Sequence, residues 1–151
     1  MKPAMKEEDD LAYLDLCRQA GESSSDPDTR VGCVVVKGGS VLVRGCNAFP
    51  RGLDDATGER SVRPNKYEWI EHAERNAIFS AARTGTALAG ASLYVELMPC
   101  VACARAIIQA GISEVIVSAD RMSLYNSDKY IEQHSIAELM LREAGVPVRR
   151  A

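Results

Sequence analysis

The chain has 151 residues, about one domain's worth, of which 46% are hydrophobic and 26% charged. That supplies one sizeable core, and the formal net charge of −3 argues against the strongly basic groove of a nucleic-acid binder. The longest unbroken apolar run, Val31–Val36 with its Gly32 counted, falls far short of the roughly 20 residues that span a bilayer. Met1-Lys2-Pro3 passes into the acidic Glu7-Glu8-Asp9-Asp10 with no apolar leader region, so a cytoplasmic protein with no membrane partner is expected. The five cysteines (17, 33, 46, 100 and 103) are odd in number, which disfavours a disulfide framework, and Cys100-x-x-Cys103 reads first as metal-binding or redox.

Apolar residues at 11, 14, 17 and 20 give Glu7–Ala20 the spacing of an amphipathic helix, with acidic residues at its start to suit the dipole. A Ser/Asp/Pro loop covers 21–28. Val31–Val36 is a β-branched run, Gly38-Gly39 a turn, and Val41–Val43 the return strand of a hairpin. Residues 47–66, rich in Gly, Pro, Asp and Arg, form a long loop of the kind that often carries function. A helix follows over Glu71–Arg83, a strand over Ser92–Leu97, and a helix opened by Pro99 and stopped at Gly111. A short strand at Glu114–Ser118, a helix at Ser135–Glu143 and a last strand at Val146–Arg149 complete the chain. This order predicts one α/β domain: a mixed five-stranded sheet with helices on both faces.

Two segments carry chemistry. His72-Ala73-Glu74 and Pro99-Cys100-Val101-Ala102-Cys103 each stand at a predicted helix start, with 24 residues between Glu74 and Pro99. One imidazole and two thiolates are three good zinc ligands, and three protein ligands leave a fourth position for water, the catalytic pattern. The i, i+3 spacing puts both cysteines on one face of a helical turn whose positive end favours thiolate. In a regular helix His72 and Glu74 would diverge by about 200°. They converge if His72 sits at the helix entry, outside regular geometry, with Glu74 beside the water as a proton shuttle rather than a ligand. The combination is the signature of zinc nucleobase deaminases. A closed structural zinc site and a redox cysteine pair are the blander alternatives, the first disfavoured because such a site has no use for Glu74.

The chain resembles the cytidine/deoxycytidylate deaminase superfamily over about Ser25–Val148, and within it the deoxycytidylate (dCMP) deaminases. The resemblance rests on Asp26-Pro27-Asp28-Thr29-Arg30-Val31-Gly32, Gly45-Cys46-Asn47-Ala48-Phe49-Pro50-Arg51-Gly52, His72–Ile78, Pro99–Ile112 and Ala144-Gly145-Val146. It implies a cytidine-deaminase-like three-layer α/β/α fold. It also implies Zn2+ held by His72, Cys100 and Cys103, Glu74 as shuttle, the Ala73 N–H on the base and Asn47 hydrogen-bonded to base or sugar. The loop departs from the family pattern, with Cys46 in place of Tyr and Ala48 in place of a second Gly. So does the stretch 122–133 with Tyr125, Asn126 and Tyr130, in a region that covers the pocket in related deaminases.

Further substrate-binding candidates are Phe49 for stacking on the base, Tyr125 for closing the site, and Arg30 or Arg121 for a phosphate. Arg51, Arg60, Arg63 and Lys66 are further cations. Asn47 has an alternative role as a turn residue satisfying its own backbone, and His134 reads as a solvated or helix-start residue. The expected activity is deamination of a cytosine nucleotide, dCMP to dUMP, by a homo-oligomer. The alternatives are a free base or nucleoside such as guanine, cytosine or cytidine; a base in tRNA or single-stranded DNA, which the acidic charge disfavours; and a non-enzymatic structural zinc module.

Overall fold

Along β1 the side chains alternate between two cores. Cys33 and Val35 pack with Leu93, Val95, Val115 and Val117 on one face of the sheet, while Val34 and Val36 pack with Tyr94 and Ile116 on the other. The computed structural model describes residues 3–125 and 127–151; Met1, Lys2 and Asn126 lie outside the described residues. Its elements are α1 (Pro3–Gly21), β1 (Gly32–Lys37), β2 (Ser40–Cys46), α2 (Lys66–Trp69), α3 (Ala73–Thr84), β3 (Ser92–Val95), α4 (Val101–Gln109), β4 (Glu114–Val117), α5 (Ala119–Met122), α6 (Asp128–Glu143) and β5 (Val148–Arg150).

The strands lie in the order β2-β1-β3-β4-β5. β1 is antiparallel to both β2 and β3, whereas β3, β4 and β5 run parallel. The core against α3, α4 and α6 buries Ala73, Ala77, Ala104, Ile107, Ala137 and Leu141, and the opposite core buries Leu14 and Cys17 of α1. The expected mixed five-stranded sheet with helices on both faces is therefore what forms. Gly38 and Gly39, at φ +59° and +77°, make the hairpin turn that the right-handed twist of the strands requires.

Several boundaries differ from the sequence expectation: α3 starts at Ala73 rather than Glu71, β3 ends at Val95 rather than Leu97, and β5 runs over Val148–Arg150 rather than Val146–Arg149. α1 starts at Pro3, so the acidic run sits beyond its first turn, and Asp10 is buried, bonded to Tyr94 Oη and the Arg149 guanidinium. Lys66, expected to end the loop, instead opens α2, which continues through the unassigned residues 67–69. α6 begins at Asp128, seven residues before the expected Ser135, because Ser127 caps it by accepting from the Tyr130 N–H. No helix among the described residues is long and apolar enough to cross a membrane.

Candidate active site

The N-terminal ends of α3 and α4 meet beyond the end of β3. His72 is the N-cap of α3, with extended backbone at φ −73°, ψ 153°, and Cys100 the N-cap of α4 at φ −73°, ψ 172°. Neither has its side chain spent on capping, so both remain available as ligands. The extended geometry of His72 resolves the 200° problem: His72 and Glu74 come to the same place because only Glu74 is inside the helix. The entry turn is held by Glu71 Oε1, which accepts from the His72 N–H at 2.9 Å and from Arg75 Nε at 2.7 Å. Asn76 Nδ2 donates to the Cys46 carbonyl at 2.8 Å, tying α3 to β2. The close approach of these two elements requires Gly45, where a Cβ would lie 2.5 Å from the Ala73 carbonyl oxygen and 2.7 Å from the Ala77 nitrogen.

The ligand atoms of His72, Cys100 and Cys103 all lie within 4.8 Å of one another. His72 Nδ1 stands 3.5 Å from each sulfur. A tetrahedral zinc with Zn–S of about 2.3 Å and Zn–N of about 2.0 Å has an S···N edge of about 3.5 Å, so the three donors fit that ion in number, type and spacing. Glu74, buried, places Oε2 3.5 Å from Cys103 Sγ.

Electrostatics prepare the donors. A hydrogen bond from Cys103, with others from the His72 ring and the helix backbone, brings the Cys100 thiol down to about 3, outweighing its burial. Cys103, as donor in that bond and buried beside the Glu74 carboxyl, has its pKa raised. The bond to Cys100 also raises the pKa of the His72 imidazole. Burial raises that of the Glu74 carboxyl, which favours its holding a proton.

His72, Glu74 and Cys100 line a cavity of about 440 Å3, within the range of small-ligand sites. Its wall includes Asn47, Ala73, Glu74, His72 and Cys100, and, from three further segments, Asp26 and Thr29; Arg63, Lys66 and Tyr67; and Tyr130, Gln133 and His134. Ala73, the first residue of α3, has a backbone N–H with no intrahelical acceptor. Asn47 is internally engaged: Oδ1 accepts from the Val31 N–H at 2.9 Å and from Ser24 Oγ at 2.6 Å, and Nδ2 donates to the Thr29 carbonyl at 2.7 Å. The geometry gives it the anchoring role, holding the Thr29–Val31 wall.

Four candidates stand outside the cavity lining. After Asn47 the chain turns away: Ala48 pairs with Glu71, and Pro50 and Arg51 line a separate cleft, so half-buried Phe49 does not reach the cavity. Arg121 Nη1 donates to Glu96 at 2.6 Å and its Nη2 to the Arg30 carbonyl at 3.0 Å, the Arg30 guanidinium donates to the Glu22 carbonyl at 3.4 Å, and neither side chain lines the cavity. Tyr125 packs on Tyr130, ring centroids 5.4 Å apart, and so backs the wall without lining it. His134 is not at a helix start; it lies half-buried within α6, stacked on Tyr130 at 4.0 Å. The cue to its position was the Ser127-Asp128 cap, which moves the helix start upstream.

The family model described as the cytidine and deoxycytidylate deaminase zinc-binding region matches residues 7–119. The chain belongs to this family. Zinc is the family's metal, and its members are hydrolytic deaminases. Human deoxycytidylate deaminase is 37% identical over 137 residues, covering 87% of this chain and 72% of that protein. An uncharacterized deaminase of Aliivibrio fischeri is 34% identical, covering 90% and 88%. The dCMP deaminase of cyanophage S-TIM5, crystallised with dCMP and dUMP, superposes with a TM-score of 0.71 at 27% identity over 100% of this chain and 99% of that one.

Proposed function

We propose that the chain is a zinc-dependent hydrolase that deaminates a cytosine nucleotide, converting dCMP and water to dUMP and ammonia. The observation that carries this is the convergence of His72, Cys100, Cys103 and Glu74, with His72, Cys100 and Glu74 lining one cavity, in a family whose similar members are dCMP deaminases. His72, Cys100 and Cys103 would hold the zinc, which when bound supplies a Lewis acid able to lower the pKa of a water from 15.7 to about 7.

The remaining work belongs to the protein. Glu74 Oε2 takes a proton from the water as its oxygen adds to C4 of the base and the C4=N3 bond opens. It passes that proton to N3, then carries the second proton from the new C4 hydroxyl to the departing amino group, leaving C4=O, N3–H and ammonia. Its raised pKa suits that exchange, since a carboxyl of ordinary acidity holds a transferred proton less readily. The free N–H of Ala73 meets the base, and Asn47 keeps the wall beside it in place. The small-molecule substrate fits the cavity and the acidic chain, which gives no sign of a nucleic-acid groove. We also read the protein as a cytoplasmic homo-oligomer, in which a second copy would help to complete the pocket.

The test is ammonia release by zinc-loaded protein from dCMP, CMP, deoxycytidine, cytidine, cytosine, guanine and adenine. Preference for dCMP supports the reading. Turnover confined to unphosphorylated compounds keeps the chemistry and overturns the substrate; no turnover by zinc-replete, folded protein overturns both.

A further inference from the structure

We propose that Arg63, assisted by His134, holds the 5′-phosphate and sets the preference for a nucleotide over a nucleoside. This rests on the reading above of the site as a cytosine nucleotide deaminase.

A phosphate dianion needs N–H donors that the protein has not already spent. Four cationic or potentially cationic side chains line the cavity: Arg63, Lys66, His72 and His134. His72 belongs to the metal group. Lys66 is 5% exposed, and its Nζ meets both oxygens of Asp26, at 3.1 and 3.0 Å, and Asp28 Oδ2 at 3.1 Å. Three acceptors use all three ammonium protons, so Lys66 has none to offer.

Arg63 differs. Its Nε donates to Tyr67 Oη at 2.9 Å, and its Nη1 lies 3.0 Å from Asp28 Oδ2. These two contacts fix the plane of the guanidinium. Among the described residues Nη2 has no partner, and the side chain is half exposed at the cavity. A planar, prepositioned edge with free N–H groups is what binds phosphate well.

His134 adds a second point from α6. Its Nδ1 lies 2.8 Å from the Tyr130 carbonyl, which can only accept, so Nδ1 carries a proton, and Nε2 donates to the phosphate when the ring is the doubly protonated imidazolium that the dianion favours. Stacking on Tyr130 holds the ring. The other arginines offered for the phosphate lie elsewhere: Arg121 on Glu96, Arg30 on the Glu22 carbonyl, Arg60 over the Trp69 ring at 3.9 Å and Arg51 in a different cleft.

The experiment compares kcat/KM for dCMP and for deoxycytidine in zinc-loaded wild type, Arg63→Gln, Arg63→Lys and His134→Gln. Loss of a charged hydrogen bond lowers binding by about tenfold or more. In Arg63→Gln the loss on dCMP is expected to exceed that on deoxycytidine by at least that factor and to appear in KM. Arg63→Lys recovers part of it, because the charge returns without the planar fork. His134→Gln shows the same selectivity loss on a smaller scale. Residual deoxycytidine turnover in each variant reports that it is folded. Equal losses on both substrates, or an unchanged ratio, in Arg63→Gln overturn the assignment while the deaminase reading stands. A wild type that deaminates neither compound overturns the reading beneath it and the assignment with it.

Discussion

The floor and the rim of the cavity are built in different ways. The floor comes from two helix starts, each a few residues long, where the ligating atoms fall into place through N-cap geometry. The rim comes from the 24–31 segment, the 47–69 segment and the first turns of α6, joined by side chains that are up to 40 residues apart in sequence, as Lys66 and Asp26 are. Local motifs thus set the chemistry, and long-range assembly sets which molecule it acts on. A family can keep the first while varying the second.

Breaking the floor has the largest effect. Cys103→Ala removes a donor within 3.5 Å of His72 Nδ1, so zinc content by atomic absorption and ammonia release should both drop to background. Retained zinc with full turnover would place the metal elsewhere.

Breaking the rim costs stability first. Lys66→Met leaves Asp26, 6% exposed, without its cation. Removing one partner of a buried pair costs about 3–5 kcal/mol, which urea unfolding of the variant would measure. Although burial pushes the Asp26 pKa up, hydrogen bonds from the Asp28 and Thr29 N–H groups and from Lys66 outweigh it and bring the pKa below its usual value. This carboxylate therefore stabilises the fold above its unfolded pKa of about 3.9, and that contribution is lost as pH falls through the lower folded value. Asp26→Asn should flatten the acid limb of stability against pH.

A substitution between the two regions should be milder. Gly45→Ala pushes α3 off β2, and overpacking of this kind costs about 1–3 kcal/mol. Its melting curve should shift while zinc stoichiometry stays at one. The smallest effect is on metal affinity against pH. Cys103 and His72 both have raised pKa values in the metal-free site, so zinc must displace protons to bind. Apparent affinity should fall about tenfold per pH unit for each proton displaced, and mixing zinc with apoprotein in weak buffer should acidify it. Binding without proton release would contradict this account of the donors.

The contrast also explains what was legible in the sequence. The grouping of His72, Cys100, Cys103 and Glu74 and the non-helical entry at His72 could be read because the spacing of a few residues determines them. The strands could be read because Val34–Val36 and Val115–Val117 have no alternative to burial. Lys66 could not: nothing local distinguishes it from a solvated lysine until Asp26 and Asp28 arrive from another segment. Arg30 and Arg121 looked equally free, yet Glu96, buried at the end of β3, claims Arg121. His134 was misplaced because the α6 start was read at Ser135, past the Ser127 cap.

The most direct test of the division between chemistry and recognition is dCMP binding to zinc-loaded Glu74→Gln, followed by calorimetry alongside ammonia release. Loss of the shuttle is expected to lower turnover by about 10²–10⁴-fold while zinc content, fold and dCMP affinity remain close to wild type. Undiminished turnover, or loss of zinc and dCMP binding together with turnover, would contradict the role given to Glu74.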